Sequence, residues 1–156
     1  MEHPKAVGDR TTMAVMLALV DAGLSVFIPF GENTRSDFII DDGLRLARVQ
    51  CKTGRLRGGA VRFATCSAYG HHRNPATARR DYHGQIDFFA VYCPETAGVY
   101  LIPISDLPVK VQGALRVAPP RNNQTQKVRF ASDYELGTVR VSSTLAASAG
   151  GSAPCA

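Results

Sequence analysis

Asp37-Phe38-Ile39-Ile40-Asp41-Asp42-Gly43-Leu44-Arg45-Leu46-Ala47-Arg48-Val49-Gln50-Cys51-Lys52 is the stretch whose reading decides the fold. Asp-Asp-Gly between two apolar-rich runs is a strong turn signal, so residues 37–40 and 44–52 are expected to form a β-hairpin. Period-two alternation sends Arg48, Gln50 and Lys52 to one face of the second strand and Ala47, Val49 and Cys51 to the other. The register decides what Asp37 meets. A loop centred near Gly43 and Leu44 sets it opposite Gln50, whereas a tight two-residue turn at Asp42-Gly43 sets it opposite Arg48. A joint site therefore needs the wider loop or a bulge.

A carboxylate, a side-chain carbonyl and an ammonium converging on a strand pair have a clear chemical use. The Asp37 carboxylate, the Gln50 side-chain oxygen and the Cys51 backbone carbonyl are hard ligands suited to Mg²⁺, with Mn²⁺ as an alternative. Lys52 can orient an attacking water, help deprotonate it, and offset charge at a phosphate. The plain alternative is a sheet-end salt bridge between Asp37 and Lys52 with Gln50 merely solvated. Spacing alone favours that alternative, because Asp-x(n)-Gln-x-Lys is a loose pattern.

Working outward, Asp9 or Thr11 is expected to cap a helix over residues 12–22, closed by Gly23. Its residues are apolar nearly all round, which predicts burial on most sides. Further strands are expected at 25–30, 60–66, 87–93 and 99–104, with a flexible link at 54–59 and a long polar loop at 67–84. A short helix start is expected at Ser105-Asp106-Leu107 and a terminal helix at 128–136. The sum is one α/β domain over residues 1–141, a mixed sheet with helices packed on it. Residues 142–156 are Ser-, Ala- and Gly-rich and expected to be disordered. At 156 residues and 45% hydrophobic content, a single core is affordable.

No apolar run is long enough to span a membrane and no signal-peptide pattern is present, so an intracellular, cytoplasmic protein is expected. Four cysteines without a Cys-x-x-Cys pair give no support for a zinc site. The net charge of +5 is unevenly spread. Residues 54–80 hold Arg55, Arg57, Arg62, Arg73, Arg79 and Arg80 with His71 and His72, and no carboxylate. Such a segment suits a polyanion, though a solvated basic loop is the bland reading. Lys5, Arg55, Arg57, His71, His72, Arg73, Arg79 and Arg80 are the candidate DNA contacts. Adjacent histidines diverge, so His71-His72 is a poor metal site. Tyr82 and Asp87 are candidates to support the site, Asp87 as an acceptor or a structural hydrogen bond.

Several motifs recur in order: Gly8-Asp9, Ile28-Pro29-Phe30-Gly31-Glu32-Asn33, Asp37-Phe38-Ile39-Ile40, Val49-Gln50-Cys51-Lys52-Thr53-Gly54 and Tyr82-x4-Asp87-Phe88-Phe89. Tyr92-Cys93-Pro94-Glu95, Tyr100-Leu101-Ile102-Pro103, Leu115-Arg116, Asn122-Asn123-Gln124 and Ala131-x2-Tyr134-Glu135-Leu136 follow. Together they resemble one PD-(D/E)XK endonuclease family, the branch with Gln in the usual Glu position that includes an intron-encoded homing endonuclease. The resemblance runs from about Pro4 to Leu136. It implies a restriction-endonuclease-like αβββαβ core, Mg²⁺-dependent hydrolysis of DNA phosphodiesters, and Asp37, Gln50 and Lys52 as the catalytic set. A homo-oligomer, dimer or tetramer, is expected because cutting both strands usually takes two sites. The chain departs from the family at Thr12, where a first-helix glutamate is expected. Thr12 or Asp9, through a water, are the replacements considered, with Glu32 and Asp41 remoter. The rival reading is a catalytically weakened or inactive nucleic-acid-binding module on the same fold. A third is an interaction protein whose basic loop binds an acidic partner.

Overall fold

A computed structural model describes residues 2–31, 33–68, 79–122 and 125–136. In chain order the elements are α1 (Pro4–Asp21), β1 (Ser25–Phe27), β2 (Phe38–Asp41), β3 (Leu46–Thr53), β4 (Arg55–Arg57) and β5 (Ala60–Ala64). Then come β6 (Cys66–Ala68), β7 (Arg79–Asp81), β8 (Phe88–Cys93), β9 (Gly98–Pro103) and β10 (Gln112–Arg116).

The helix begins two turns earlier than its apolar run. His3 is the cap, its Nδ1 accepting the Lys5 N–H at 3.3 Å, and Pro4 opens the first turn, where its fixed φ and missing N–H cost nothing. Asp9 and Thr11 are therefore interior residues, not caps. The end is as expected. Gly23 at φ +84° lets its own N–H reach Val20 O and the Leu24 N–H reach Leu19 O, the paired bonds of a Schellman motif. Burial is one-sided: Val15 and Leu19 are fully buried, while Met13, Leu17 and Val20 stay more than half exposed. The expectation of burial on most sides is thus wrong. A single sheet covers α1, and among the described residues nothing packs on its outer face.

That sheet has five strands in the order β1-β2-β3-β8-β9, antiparallel except for the parallel β3–β8 pair. Phe38 pairs with Val49 and Asp41 with Leu46, leaving a four-residue loop, 42–45. Asp42 Oδ1 accepts the N–H groups of Leu44 and Arg45 at 2.8 Å, and Asp41 Oδ1 accepts that of Gly43. These side-chain bonds stabilise the wider of the two loops, so Asp37 continues the register opposite Gln50.

The two faces of the sheet are covered differently. Phe38, Ile40, Val49, Phe88, Ala90 and Leu101 meet Val15 and Leu19 of α1. Phe89, Val91, Cys93, Tyr100 and Ile102 face the other way and meet Val61, Phe63 and Leu115 of a second, three-stranded sheet ordered β10-β5-β4. Residues 54–59 are thus not a flexible link. Arg57 pairs with Ala60 across Gly58-Gly59, both at positive φ, which is a two-residue hairpin turn. Gly54 admits this crossing: a Cβ there would lie 2.6 Å from Val61 Cγ1 and 2.9 Å from Val91 Cγ1.

Three further expectations need correction. The terminal helix at 128–136 is a single 3₁₀ turn, Ala131–Asp133, flanked by isolated bridges from Phe130 to Arg116 and from Glu135 to Tyr100. The chain there lies against strands that need its backbone groups, so bridging replaces helix. The second helix of the αβββαβ plan has no α-helical counterpart among the described residues, where the connection from β3 to β8 carries β4, β5, β6 and β7. The helix start at Ser105 is one 3₁₀ turn, Ile104–Asp106. The fold class itself, a mixed sheet with a helix on one face, stands as expected. His71, His72, Arg73, Glu32, Cys155 and the 142–156 tail lie outside the described residues.

Candidate active site

Asp37 sits one residue ahead of β2 and is tied on both sides to β3. Its N–H donates to Val49 O at 2.8 Å. Its Oδ2 accepts the Cys51 N–H at 2.8 Å and the Gln50 side-chain amide at 2.6 Å. Burial raises the Asp37 pKa above the ordinary carboxylate range, against the lowering pull of the Cys51 N–H and the Lys52 charge. The Cys51 thiol points into the helix-side core and is pushed far up by burial, with the Asp37 charge adding to it. The buried thiol is unreactive, and the Cys51 N–H and carbonyl meet Asp37 and Gln50.

The Gln50 amide nitrogen lies between two acceptors, Asp37 Oδ2 at 2.6 Å and Cys51 O at 3.3 Å. In other words, a positively polarised N–H group fills the spot where a carboxylate oxygen and a backbone carbonyl converge. A half-turn of the amide would bring its oxygen to the same spot, and three oxygens tolerate one another there only around a cation. The donor set, one carboxylate and two neutral oxygens, is hard and fits Mg²⁺ or Mn²⁺ better than a soft metal. Among the described residues no cluster of three or more His, Cys, Asp or Glu side chains could hold a metal. Such an ion would be weakly held.

Lys52 closes the polar row. Its Nζ donates to Tyr82 Oη at 3.2 Å and to Cys66 O at 3.4 Å, and lies 4.7 Å from the Tyr82 ring centre. No salt bridge joins it to Asp37 among the described residues, so the sheet-end ion pair that spacing favoured is not formed. The ammonium is held by neutral oxygens beside the carboxylate.

Sequence reasoning missed Arg35. Its guanidinium donates to Gln85 Oε1, to Ser67 Oγ at 2.8 Å and to Asp81 O at 2.7 Å. It also stacks 3.9 Å from the Tyr82 ring centre. It thus fastens the β6–β7 hairpin and the Tyr82 platform to the segment that delivers Asp37. A lone arginine in a polar loop carries no signal until partners 32 and 50 positions away assemble around it.

The remaining candidates divide. Tyr82 is in the site. Asp87 is not: it receives the Arg48 N–H at 2.7 Å and the Arg48 guanidinium at two atoms, pinning the start of β8 to β3. Thr12 donates its hydroxyl to Gly8 O at 3.0 Å and Asp9 is exposed on α1. The neighbouring Thr11 is hydrogen-bonded to β3, its hydroxyl 2.6 Å from that of Thr53. Arg55 and Arg57 are exposed on β4, Arg79 and Arg80 on β7, and Lys5 on the first turn of α1.

No curated protein matches the chain. Among solved structures it is similar to the bacterial homing endonuclease I-Ssp6803I, at 19% identity and a TM-score of 0.74, over 97% of this chain and 100% of the other. The sequence profile described as PD-(D/E)XK endonuclease matches residues 2–137. The chain belongs to the PD-(D/E)XK endonuclease family.

Proposed function

We propose that this protein is a Mg²⁺-dependent endodeoxyribonuclease that hydrolyses DNA phosphodiester bonds at Asp37, Gln50 and Lys52, with Mn²⁺ as a substitute ion. The observation that carries the reading is the Gln50 amide seated between Asp37 Oδ2 and Cys51 O, with the Lys52 ammonium beside it and, among the described residues, no ion pair consuming either charge. Asp37, Gln50 and Cys51 O would hold the ion, which supplies Lewis-acid polarisation of the phosphate and charge relief at the leaving oxygen. Lys52 Nζ, steadied by Tyr82 Oη and Cys66 O, orients water for attack and offsets the charge that builds on the phosphate. Lys5, Arg55, Arg57, Arg79 and Arg80, with His71, His72 and Arg73, are proposed as backbone contacts. Self-association into a dimer or tetramer is part of the proposal. Phe27, Ile28, Phe30, Leu44 and Leu46 are exposed around the β1 end of the sheet, an apolar surface that a duplex does not need. An intracellular setting belongs to the same proposal; no helix of the described residues is long and apolar enough to cross a membrane.

A second reading, a DNA-binding module with weak or lost catalysis, is favoured by Thr12 and by the neutral Gln50, which leave Asp37 as the one carboxylate at the site among the described residues. Asp9 or Thr12 could contribute only through water. Incubation of supercoiled plasmid and branched DNA with Mg²⁺ or Mn²⁺, with and without chelator, separates the two. Chelator-sensitive nicking or linearisation supports the nuclease. Intact DNA that the protein nevertheless binds supports the module.

A further inference from the structure

We infer that the groove between β4–β5 and β7 is a phosphate-binding track that holds the duplex flanking the cleaved bond, with Arg62 as a principal contact beside Arg55, Arg57 and Arg79. This rests on the nuclease reading for its substrate class. The groove encloses about 740 Å³ and is lined by all four arginines, with Thr53, Ala64 and Gln112 among its neutral residues.

The register makes the arrangement telling. Arg55 and Arg62 are directly opposite each other across the β4–β5 ladder, and Arg57 shares the outward face of β4 by alternation. Like charges in directly opposed positions destabilise a sheet pair, so this pairing costs the fold something that a bound anion would recover. Little within the chain recovers it. Arg55 has an exposed partner in Glu95 at 3.9 Å, whereas the side chains of Arg57 and Arg62 have neither hydrogen bond nor ion pair among the described residues. Arg116 differs: carbonyls of Gly58, Ala118 and Pro119 occupy its guanidinium.

The groove also borders the residues that hold Lys52. Cys66, another lining residue, offers the carbonyl that holds Lys52 Nζ. The repeated charge of a nucleic-acid backbone fits four guanidinia lining one groove better than a single small anion does. Lys5 does not line this groove.

The test is fluorescence anisotropy with a labelled 30-base-pair duplex in EDTA, so that no cleavage occurs, over a range of KCl concentrations. The chains compared are the unaltered protein, R57A/R62A, and R10A as an exposed control whose arginine pairs with Glu2. The double variant should flatten the plot of log affinity against log salt by about two and melt slightly higher than the unaltered protein, because the Arg55–Arg62 opposition is relieved, while R10A should stay on the wild-type line. An unchanged slope in R57A/R62A overturns the track, as does an equal flattening in R10A. Competition by polyglutamate as effective as by unlabelled duplex also overturns it, in favour of an acidic protein partner. If the unaltered protein binds no DNA and cuts none, both the track and the nuclease reading fall.

Discussion

Replacing Asp37 with Asn removes one negative charge and almost nothing else. The Asn oxygen can still accept the Cys51 N–H and the Gln50 amide that Oδ2 accepts at 2.8 and 2.6 Å. Burial raises the Asp37 pKa in the folded chain, so the native state binds this proton more tightly than the unfolded one. The stability so gained is complete below the ordinary carboxylate range and is lost as pH rises through the elevated value. At neutral pH without metal the wild type carries that loss and D37N does not, so D37N should melt higher. Towards acid pH the two should converge. Added Mg²⁺ should reverse the order. A site with one carboxylate binds weakly, so the stabilisation is modest: about 1 kcal/mol at a free ion concentration near five times Kd, from RT ln(1 + [L]/Kd). For a domain of this size that is roughly 2–4 °C in Tm. The assay is thermal melting of both proteins at several pH values across a Mg²⁺ titration. A D37N protein less stable than wild type without metal at neutral pH, or stabilised equally by Mg²⁺, would refute the reasoning.

Arg35→Ala should cost about 1.5–3 kcal/mol, the usual scale for charge-assisted hydrogen bonds, and slow cleavage by loosening Tyr82 beneath Lys52. Arg35→Lys should not rescue it, because an ammonium cannot serve Gln85, Ser67 and Asp81 in one plane while stacking; denaturant melts and initial rates check both. Gly54→Ala should destabilise by about 1–3 kcal/mol through the clash of its Cβ with Val61 and Val91, and wild-type stability would mean the sheets do not cross there. Leu19→Ala, at a fully buried position, should cost about 2–5 kcal/mol in urea titrations.

What could be read in the sequence was what has a period. Residues 37–52 alternate cleanly, and the two competing registers were both visible. What chose between them was side-chain bonding by Asp41 and Asp42, which residue type permits but does not enforce. The Asp37–Gln50–Lys52 grouping followed once the register was settled. The β4–β5 hairpin escaped notice because its outward residues are arginines and Gly58-Gly59 reads equally well as a flexible link. The helix start was misplaced because the apolar run begins at Met13, whereas Pro4 and the His3 side-chain cap set the terminus. At residues 128–136 apolar spacing was compatible with a helix, but bridges to β9 and β10 outweighed it. Such long-range pairing is not written in any local window. The same is true of Arg35 and of the opposed Arg55 and Arg62, whose partners are brought together only by the fold.

The most direct test is single-turnover cleavage of pre-bound duplex DNA started by adding Mg²⁺, comparing wild type with D37A and K52A at matched occupancy. The account predicts metal-initiated cleavage by the wild type and losses of a hundredfold or more in each variant, with DNA still bound. Cleavage that proceeds at the wild-type rate in either variant would contradict it.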